Sequence, residues 1–211
     1  MKEYKENFWD KHMGDDEGAA QYMEPYGEGP GSDTRKMVGS FINDGESVLD
    51  VGCGPGWNYD HFQQYGPRVS KYLGLDYSRR FVRVANKRNP GQYEYGDCRK
   101  LTQADNSFDV VLLQDVLEHT NGYEKPITEA IRVAKKRVII AFWRPLSPND
   151  SEDSFNDDGD DGWGADYSLE KFEEFMDSTG YFWCETETDP GANRWHIFYI
   201  IDKEENYEKS R

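Results

Sequence analysis

The apolar residues of this chain fall into short β-rich runs that alternate with longer polar segments from residue 47 onward. Such runs, bounded by turn residues, are typical of strands, and helix-length segments between them favour parallel crossovers. The pattern predicts seven strands, at Ser47–Val51, Lys71–Leu75, Gln92–Tyr95, Asp109–Gln114, Arg137–Trp143, Phe182–Thr186 and His196–Ile201. We therefore expect an α/β fold built on a mainly parallel sheet.

Helical spacing marks four of the segments between these strands. The predicted helices are Tyr59–Tyr65, Arg79–Lys87, Lys125–Ala134 and Leu169–Ser178. Ser168 is the predicted N-cap of the last helix, because its hydroxyl can accept a hydrogen bond from a free amide of the first turn. The last two strands are joined instead through Pro190 and Gly191, which favours an antiparallel hairpin at the end of the sheet, with helices on both faces.

Two segments lack the strand pattern. Residues 1–45 carry the rings of Trp9, His12, Tyr22 and Tyr26, and we expect helices and a flap over the sheet there. The acidic segment at 150–161 holds seven Asp or Glu and no Lys or Arg. This composition predicts a solvated, mobile loop.

The charge balance narrows the class of partner. With 41 Asp and Glu against 25 Lys and Arg, the formal net charge is -16, which disfavours phosphate backbones and anionic lipid surfaces. Cys53, Cys98 and Cys184 are far apart and lack zinc-type spacing, which favours a reduced, cytoplasmic setting. No apolar run is long enough to span a bilayer. We expect a soluble protein that acts on a small molecule, with nucleic acid and membrane as disfavoured partners.

The segment VLDVGCGPG is an apolar strand that ends in Gly52, Gly54 and Gly56. Glycine allows positive φ and a close approach of the backbone to a ligand. The carboxylate of Asp50 can accept hydrogen bonds from an ammonium group. A dinucleotide loop would need glycine where Trp57 stands, and no Gly-Lys-Ser/Thr follows for a Walker loop. The loop fits a ligand that carries an amine and a nucleoside, as S-adenosylmethionine does.

Acidic and polar side chains follow the next predicted strands. In an open α/β sheet, ligands bind outside the carboxyl ends of the strands. Asp76 follows the second strand, where it can take both hydroxyls of a ribose, and Asp97 follows the third, where it can accept from an adenine amino group. The fourth strand brings Gln114 and Asp115 beside the glycine loop. Four strand ends thus converge on one nucleoside-shaped site.

At these positions the chain resembles the class I S-adenosylmethionine-dependent methyltransferases, in particular the group with mixed small-molecule substrates. The resemblance covers roughly residues 45–145 and rests on four motifs, VLDVGCGPG at 48–56, GLDYS at 74–78, GD at 96–97 and FDVV through VLEH at 108–119. It implies the family's Rossmann-like, seven-stranded sheet with a terminal antiparallel hairpin. The cofactor-binding residues that it implies are Asp50, Gly52, Cys53, Gly54 and Gly56 for the methionine part, Asp76 and Tyr77 for the ribose, Asp97 and Cys98 for the adenine, and Gln114 and Asp115 for the methyl group. The single domain then divides into an N-terminal flap at 1–45, a cofactor-binding core at 46–145, an acidic loop at 146–167, and a C-terminal helix and hairpin at 168–211.

Methyl transfer from a sulfonium is an in-line displacement, in which positioning of the acceptor and exclusion of water do much of the work. The predicted acceptor is an oxygen or nitrogen of a small or medium-sized molecule. A general base would help a hydroxyl or a protonated amine, and the candidate catalytic residues are His119 and Asp115, with His12 and Glu118 as further candidates. Arg144, after the fifth strand, is predicted to form a surface salt bridge.

Two alternatives stay open. If residues 115–119 form a helical turn, Asp115, Glu118 and His119 share one face of it, with His196 as a conceivable further ligand. This set resembles the metal cluster of metal-assisted O-methyltransferases, although the preferred reading contains no metal. The chain could instead bind the cofactor without catalysis, as the partner of another protein.

Overall fold

The computed structural model describes residues 8–22, 29–147, 154–157, 163–188 and 196–204. The strands are β1 Ser47–Val51, β2 Lys71–Asp76, β3 Tyr93–Tyr95, β4 Phe108–Gln114, β5 Ala134–Phe142, β6 Ser154–Asp157, β7 Trp163–Asp166, β8 Phe182–Glu187 and β9 Ile197–Asp202. The helices are α1 Phe8–His12, α2 Asp16–Gln21, α3 Asp33–Ser40, α4 Trp57–Tyr65, α5 Arg79–Arg88, α6 Glu124–Val133 and α7 Leu169–Ser178, with a 3-10 turn at Leu117–His119.

Seven strands form one sheet in the order β3-β2-β1-β4-β5-β9-β8. Strands β1 to β5 pair in parallel, whereas β9 is antiparallel to both β5 and β8. The predicted mainly parallel sheet with a terminal antiparallel hairpin is confirmed. The strand order reverses between β1 and β4, and a ligand crevice is expected outside their carboxyl ends.

The central strands are apolar on both faces, which is why helices cover both sides. Successive side chains of a strand point to opposite faces. Accordingly, Val110 and Leu112 of β4 pack in one buried cluster, and Val111 and Leu113 pack in another. Ser168 caps α7 as predicted, because its Oγ accepts a hydrogen bond from the amide of Lys171.

The acidic segment differs from its prediction. Residues 154–157 form β6, which pairs antiparallel with β7, so this part of the expected loop is one strand of a two-stranded sheet. Ladder hydrogen bonds join backbone groups, and polar side chains therefore do not prevent the pairing. The rest of the acidic segment, at 150–153 and 158–161, lies outside the described residues.

The N-terminal segment contains helices, as expected, and two of its carboxylates anchor it to α5. Asp10 in α1 accepts hydrogen bonds from the Ser78 hydroxyl and the Arg80 amide, which lie at the start of α5. Asp16 pairs with Arg83 on the exposed face of the same helix. Tyr26 lies outside the described residues. Among the helices that the structure describes, none is long and apolar enough to cross a membrane.

Candidate active site

A cavity of about 710 Å³ opens at the carboxyl ends of β1, β2 and β4. Its lining comes from the loops after these strands and after β3, from the helices α1, α3, α4 and α5, and from the end of β5. The sequence-predicted site residues that line it are Gly52, Cys53, Gly54, Asp76, Tyr77, Asp97, Cys98, Gln114, Asp115 and His119. Asp50 and Gly56 are not among the lining residues.

The three glycines of the first loop have positive φ, of 78°, 53° and 90° at Gly52, Gly54 and Gly56. A Cβ at Gly52 would lie 2.2 Å from a methyl of Val116, and one at Gly56 would lie 2.4 Å from the hydroxyl of Tyr93. A Cβ at Gly54 would meet nothing within 4 Å. Gly52 and Gly56 thus leave room for neighbouring protein side chains, whereas Gly54 faces the open cavity. The assignment of all three glycines to ligand binding stays a prediction.

Asp50 is buried beneath the loop rather than exposed to the cavity. Its Oδ2 accepts hydrogen bonds from the Tyr72 hydroxyl at 2.6 Å and from Asn58 Nδ2 at 3.1 Å. Burial raises the pKa of this carboxyl, and the Tyr72 hydrogen bond opposes that rise. Asn58 lines the cavity and Asp50 does not. The direct contact of Asp50 with a ligand ammonium stays a prediction.

Asp76 fastens the glycine loop to the end of β2. One carboxylate oxygen accepts from the amide of Gly54 at 2.8 Å, and the other accepts from the amide of Ser78 at 2.7 Å. Burial raises the pKa of this carboxyl to about 6, although both amides favour its charged form. Each oxygen keeps a lone pair, so the group can accept further hydrogen bonds at the cavity wall.

The end of β3 supplies a more exposed edge of the cavity. Arg99 pairs with Asp97 through two nitrogens, at 2.9 and 2.8 Å. Burial raises the pKa of the Cys98 thiol to about 12, so that the thiol is neutral near pH 7. The Tyr77 ring packs 5.5 Å from that of Tyr95, and both side chains are exposed. This edge therefore carries the Tyr77 and Tyr95 rings and the charge of Asp97, which Arg99 balances.

The end of β4 is the second polar wall of the cavity. Asp115 has a φ of 55° and therefore lies outside any helical turn. Its Oδ1 lies 3.1 Å from Nε2 of the fully buried His196, and Gln114 Nε2 donates to its Oδ2 at 3.4 Å. Glu118 is buried and accepts from the amide of Trp143 at 2.9 Å. Burial and the nearby Asp115 carboxylate raise the pKa of Glu118 to about 8.

The expectation that Asp115, Glu118 and His119 share one face of a helical turn is wrong. The 3-10 turn contains Glu118 and His119 but excludes Asp115, because a left-handed residue cannot continue a helix. Among the described residues, no group of three or more His, Cys, Asp and Glu side chains is arranged to hold a metal ion. The side chain of His119 instead stacks edge-on against Trp9, with ring centroids 4.8 Å apart.

Several lining residues were absent from the sequence prediction. Arg35 is buried in α3, where its Nη1 donates to Ser32 at 3.1 Å. Trp57 carries a buried Nε1 without a hydrogen-bond partner, and Asn58 carries a buried Oδ1 in the same state among the described residues. No motif marks Arg35, because α3 reaches the cavity only through tertiary packing. The other two follow the glycine loop directly and could have been inferred from it.

The sheet is of the Rossmann-like α/β class, in which ligands bind where the strand order reverses, here between β1 and β4. Residues 49–142 match the family model described as "Methyltransferase domain". Over this stretch the chain is similar to S-adenosylmethionine-dependent methyltransferases.

Three known proteins illustrate this similarity, one in sequence and two in fold. A malonyl-[acyl-carrier protein] O-methyltransferase of Buchnera aphidicola is 33% identical over 97 residues, which are 46% of this chain and 38% of that protein. The fold of a candidate methyltransferase from Haloferax volcanii, solved with the methyltransferase activator Trm112, matches with a TM-score of 0.71 at 14% identity, over 95% of this chain and 99% of that one. Phosphoethanolamine N-methyltransferase 2 of Haemonchus contortus, solved with phosphomonomethylethanolamine and S-adenosylhomocysteine, matches with a TM-score of 0.70 at 17% identity, over 94% and 60%. The chain spans less than half the length of the first curated relatives that it matches.

Proposed function

We propose that this protein transfers a methyl group from S-adenosylmethionine to an oxygen or nitrogen of a small or medium-sized acceptor. One observation carries the proposal: a single cavity extends from Gly54 and Asp76 to Gln114, Asp115 and His119. A cofactor seated on the glycine loop and an acceptor beside the end of β4 would share it, with no protein wall between them. In-line displacement needs this shared space.

The cofactor half of the cavity offers a partner for each polar part of S-adenosylmethionine. Asp76 would accept from the ribose hydroxyls while keeping its two backbone amides. The buried Oδ1 of Asn58 would accept from the methionine ammonium. The Arg35 guanidinium and the Trp57 indole N–H are donors suited to the methionine carboxylate. Asp97 and Cys98 would flank the adenine.

The acceptor half would contribute proton transfer and exclusion of water. Asp115 is the stronger candidate for a general base, because its carboxylate lines the cavity and is held by a buried histidine. His119 is the second candidate, and its contact with Trp9 would keep the ring in place beside the acceptor. Trp9 and Trp143 would shield the reacting atoms from solvent.

A second candidate function is cofactor binding under the control of a partner chain. The Haloferax neighbour is solved in complex with an activator, and its fold matches nearly all of this chain. The metal-assisted alternative has lost its support, because Asp115 does not share a helical face with Glu118 and His119.

Calorimetry with S-adenosylmethionine and S-adenosylhomocysteine tests the cofactor assignment, and formation of S-adenosylhomocysteine with a panel of acceptors tests the activity. We expect both compounds to bind and at least one acceptor class to raise cofactor turnover. Cofactor binding without turnover, with any acceptor, would favour the partner-dependent alternative. Binding of NADH in place of S-adenosylmethionine would contradict both.

A further inference from the structure

Two side chains with hydrogen-bond acceptors, Gln114 and Asp115, line the cavity at the end of β4. Gln114 is 7% exposed, and its Oε1 is buried without a hydrogen-bond partner among the described residues. The amide is oriented by its own Nε2, which donates to Asp115 at 3.4 Å. The adjacent carboxylate of Asp115 also lines the cavity. A buried amide oxygen and a carboxylate side by side call for a ligand rich in donors.

Asp115 is held in place by residues that are far away in the sequence. Its oxygen lies 3.1 Å from Nε2 of His196, at the start of β9. The other ring nitrogen of His196 lies 3.1 Å from the hydroxyl of Thr34 in α3. Both His196 and Thr34 are buried. His196 is thus a positioning residue that fixes the direction of a cavity-lining carboxylate.

In the part of the chain that the structure describes, Asp115 has no ion pair with lysine or arginine. Among the described residues, none of their nitrogens lies within ion-pair distance of Asp115, whose partner at that distance is His196. The two arginines that line the cavity have contacts elsewhere, Arg99 with Asp97 and Arg35 with Ser32. The rings of Trp9 and Trp143 also line the cavity, and aromatic faces attract cations.

We propose that the methyl acceptor is a cationic amine, whose ammonium group binds between the Asp115 carboxylate and the Gln114 Oε1. This inference rests on the proposed methyltransferase function and selects nitrogen over oxygen. An ammonium of a primary amine offers three donors, enough for both groups, whereas a hydroxyl offers one. The net charge of -16 also attracts a cation over long range.

The reaction on such an acceptor balances with the cofactor as the sole co-reactant. The bound ammonium gives one proton to the Asp115 carboxylate, which leaves a nitrogen lone pair. That lone pair forms a bond to the methyl carbon while the carbon–sulfur bond breaks, and the bonding electrons move to sulfur. The products are the N-methyl ammonium and S-adenosylhomocysteine, and Asp115 releases its proton to solvent.

Matched probe series test the charge preference in the protein saturated with S-adenosylhomocysteine. Each series holds an amine, an alcohol and a carboxylate on one aromatic frame, namely benzyl, phenylethyl or indolylethyl. We expect the amine of at least one frame to bind at least tenfold more tightly than its alcohol and its carboxylate, by calorimetry. In Asp115→Asn, this ratio of affinities should fall to within about threefold of unity. Asparagine tolerates the left-handed backbone at that position.

Two further variants keep the inference falsifiable. Gln114→Met, which removes the amide oxygen at similar volume, should reduce the amine preference by a smaller factor. Asp105→Asn, a matched loss of one negative charge at an exposed residue paired with Arg132, should retain the full preference.

The inference is overturned if no frame favours the amine, or if the preference survives in Asp115→Asn. It is also overturned if Asp115→Asn weakens the binding of S-adenosylhomocysteine as much as the binding of the amine, since the carboxylate would then bind the cofactor. Failure of S-adenosylhomocysteine to bind the wild-type protein would instead contradict the proposed function itself.

Discussion

The cofactor half and the acceptor half of the cavity are built in different ways. In the cofactor half, the loop after β1 is fastened to the end of β2 through backbone amides that donate to Asp76. In the acceptor half, Asp115 is held by His196 and through it by Thr34, side chains from three separate parts of the chain. The first half depends on local backbone geometry and the second on long-range side-chain packing. Substitutions should therefore damage the two halves in different measurable ways.

The largest expected effect is the loss of stability when the glycine packed against Val116 is replaced, compared with replacement of the glycine that faces the cavity. Gly52→Ala would force a left-handed residue against Val116, 2.2 Å from its methyl carbon. Left-handed strain of about 1–2 kcal/mol and overpacking of about 1–3 kcal/mol should lower the free energy of unfolding by roughly 2–5 kcal/mol. Denaturant unfolding measures this loss.

Gly54→Ala is the matched control, because its Cβ would meet nothing within 4 Å. Its free energy of unfolding should fall only by the left-handed strain, about 1–2 kcal/mol. Its affinity for S-adenosylhomocysteine should fall as well, because the added methyl group would contact the ligand. Equal unfolding losses in the two variants would remove the distinction between the glycines.

The next effect concerns the carboxylate that joins β2 to the glycine loop. Asp76→Ala removes the proposed ribose acceptor and should weaken S-adenosylhomocysteine by about 1–3 kcal/mol, as expected for a lost charge-assisted hydrogen bond. Calorimetry measures the change, and far-ultraviolet circular dichroism checks that the variant is folded. An unaltered affinity would rule out Asp76 as the ribose partner.

The contrast between the halves also explains what the sequence could predict. The strands, the terminal hairpin and the motif residues Gly54 and Asp76 follow from local patterns, since apolar runs and glycine loops carry their signal in neighbouring positions. Arg35 reaches the cavity, and His196 reaches Asp115, from distant elements, and no local pattern places them there. Asp50 combines both cases: its motif is local, but its hydrogen bond from Tyr72 depends on the neighbouring strand.

The pH dependence of cofactor affinity would sharpen the assignment of Asp76. Its pKa of about 6 means that the carboxyl is partly protonated below that pH. Ribose hydroxyls donate to the charged form, so cofactor binding should lower this pKa and release protons. The affinity for S-adenosylhomocysteine should therefore be highest above pH 6 and fall by up to about tenfold per pH unit below it. Calorimetry from pH 5 to 8 gives the profile, and Asp76→Asn should flatten it.

A separate effect belongs to the acceptor half and appears in stability. The pKa of Glu118 is raised from 4.5 to about 8 by burial and by Asp115, so the folded state binds a proton that the unfolded state has lost. Stability from this group is fully present below pH 4.5, declines as the pH rises toward 8, and levels off above it. Arg144 opposes the shift, and the Trp143 amide donates to the carboxyl. Glu118→Gln can keep that amide bond but cannot ionise, so its melting temperature should decline less than that of the wild type between pH 5 and 9, by about ten degrees. Parallel decline in both proteins would show that Glu118 is ionised throughout, and the two carboxylates of the acceptor half would then be charged together.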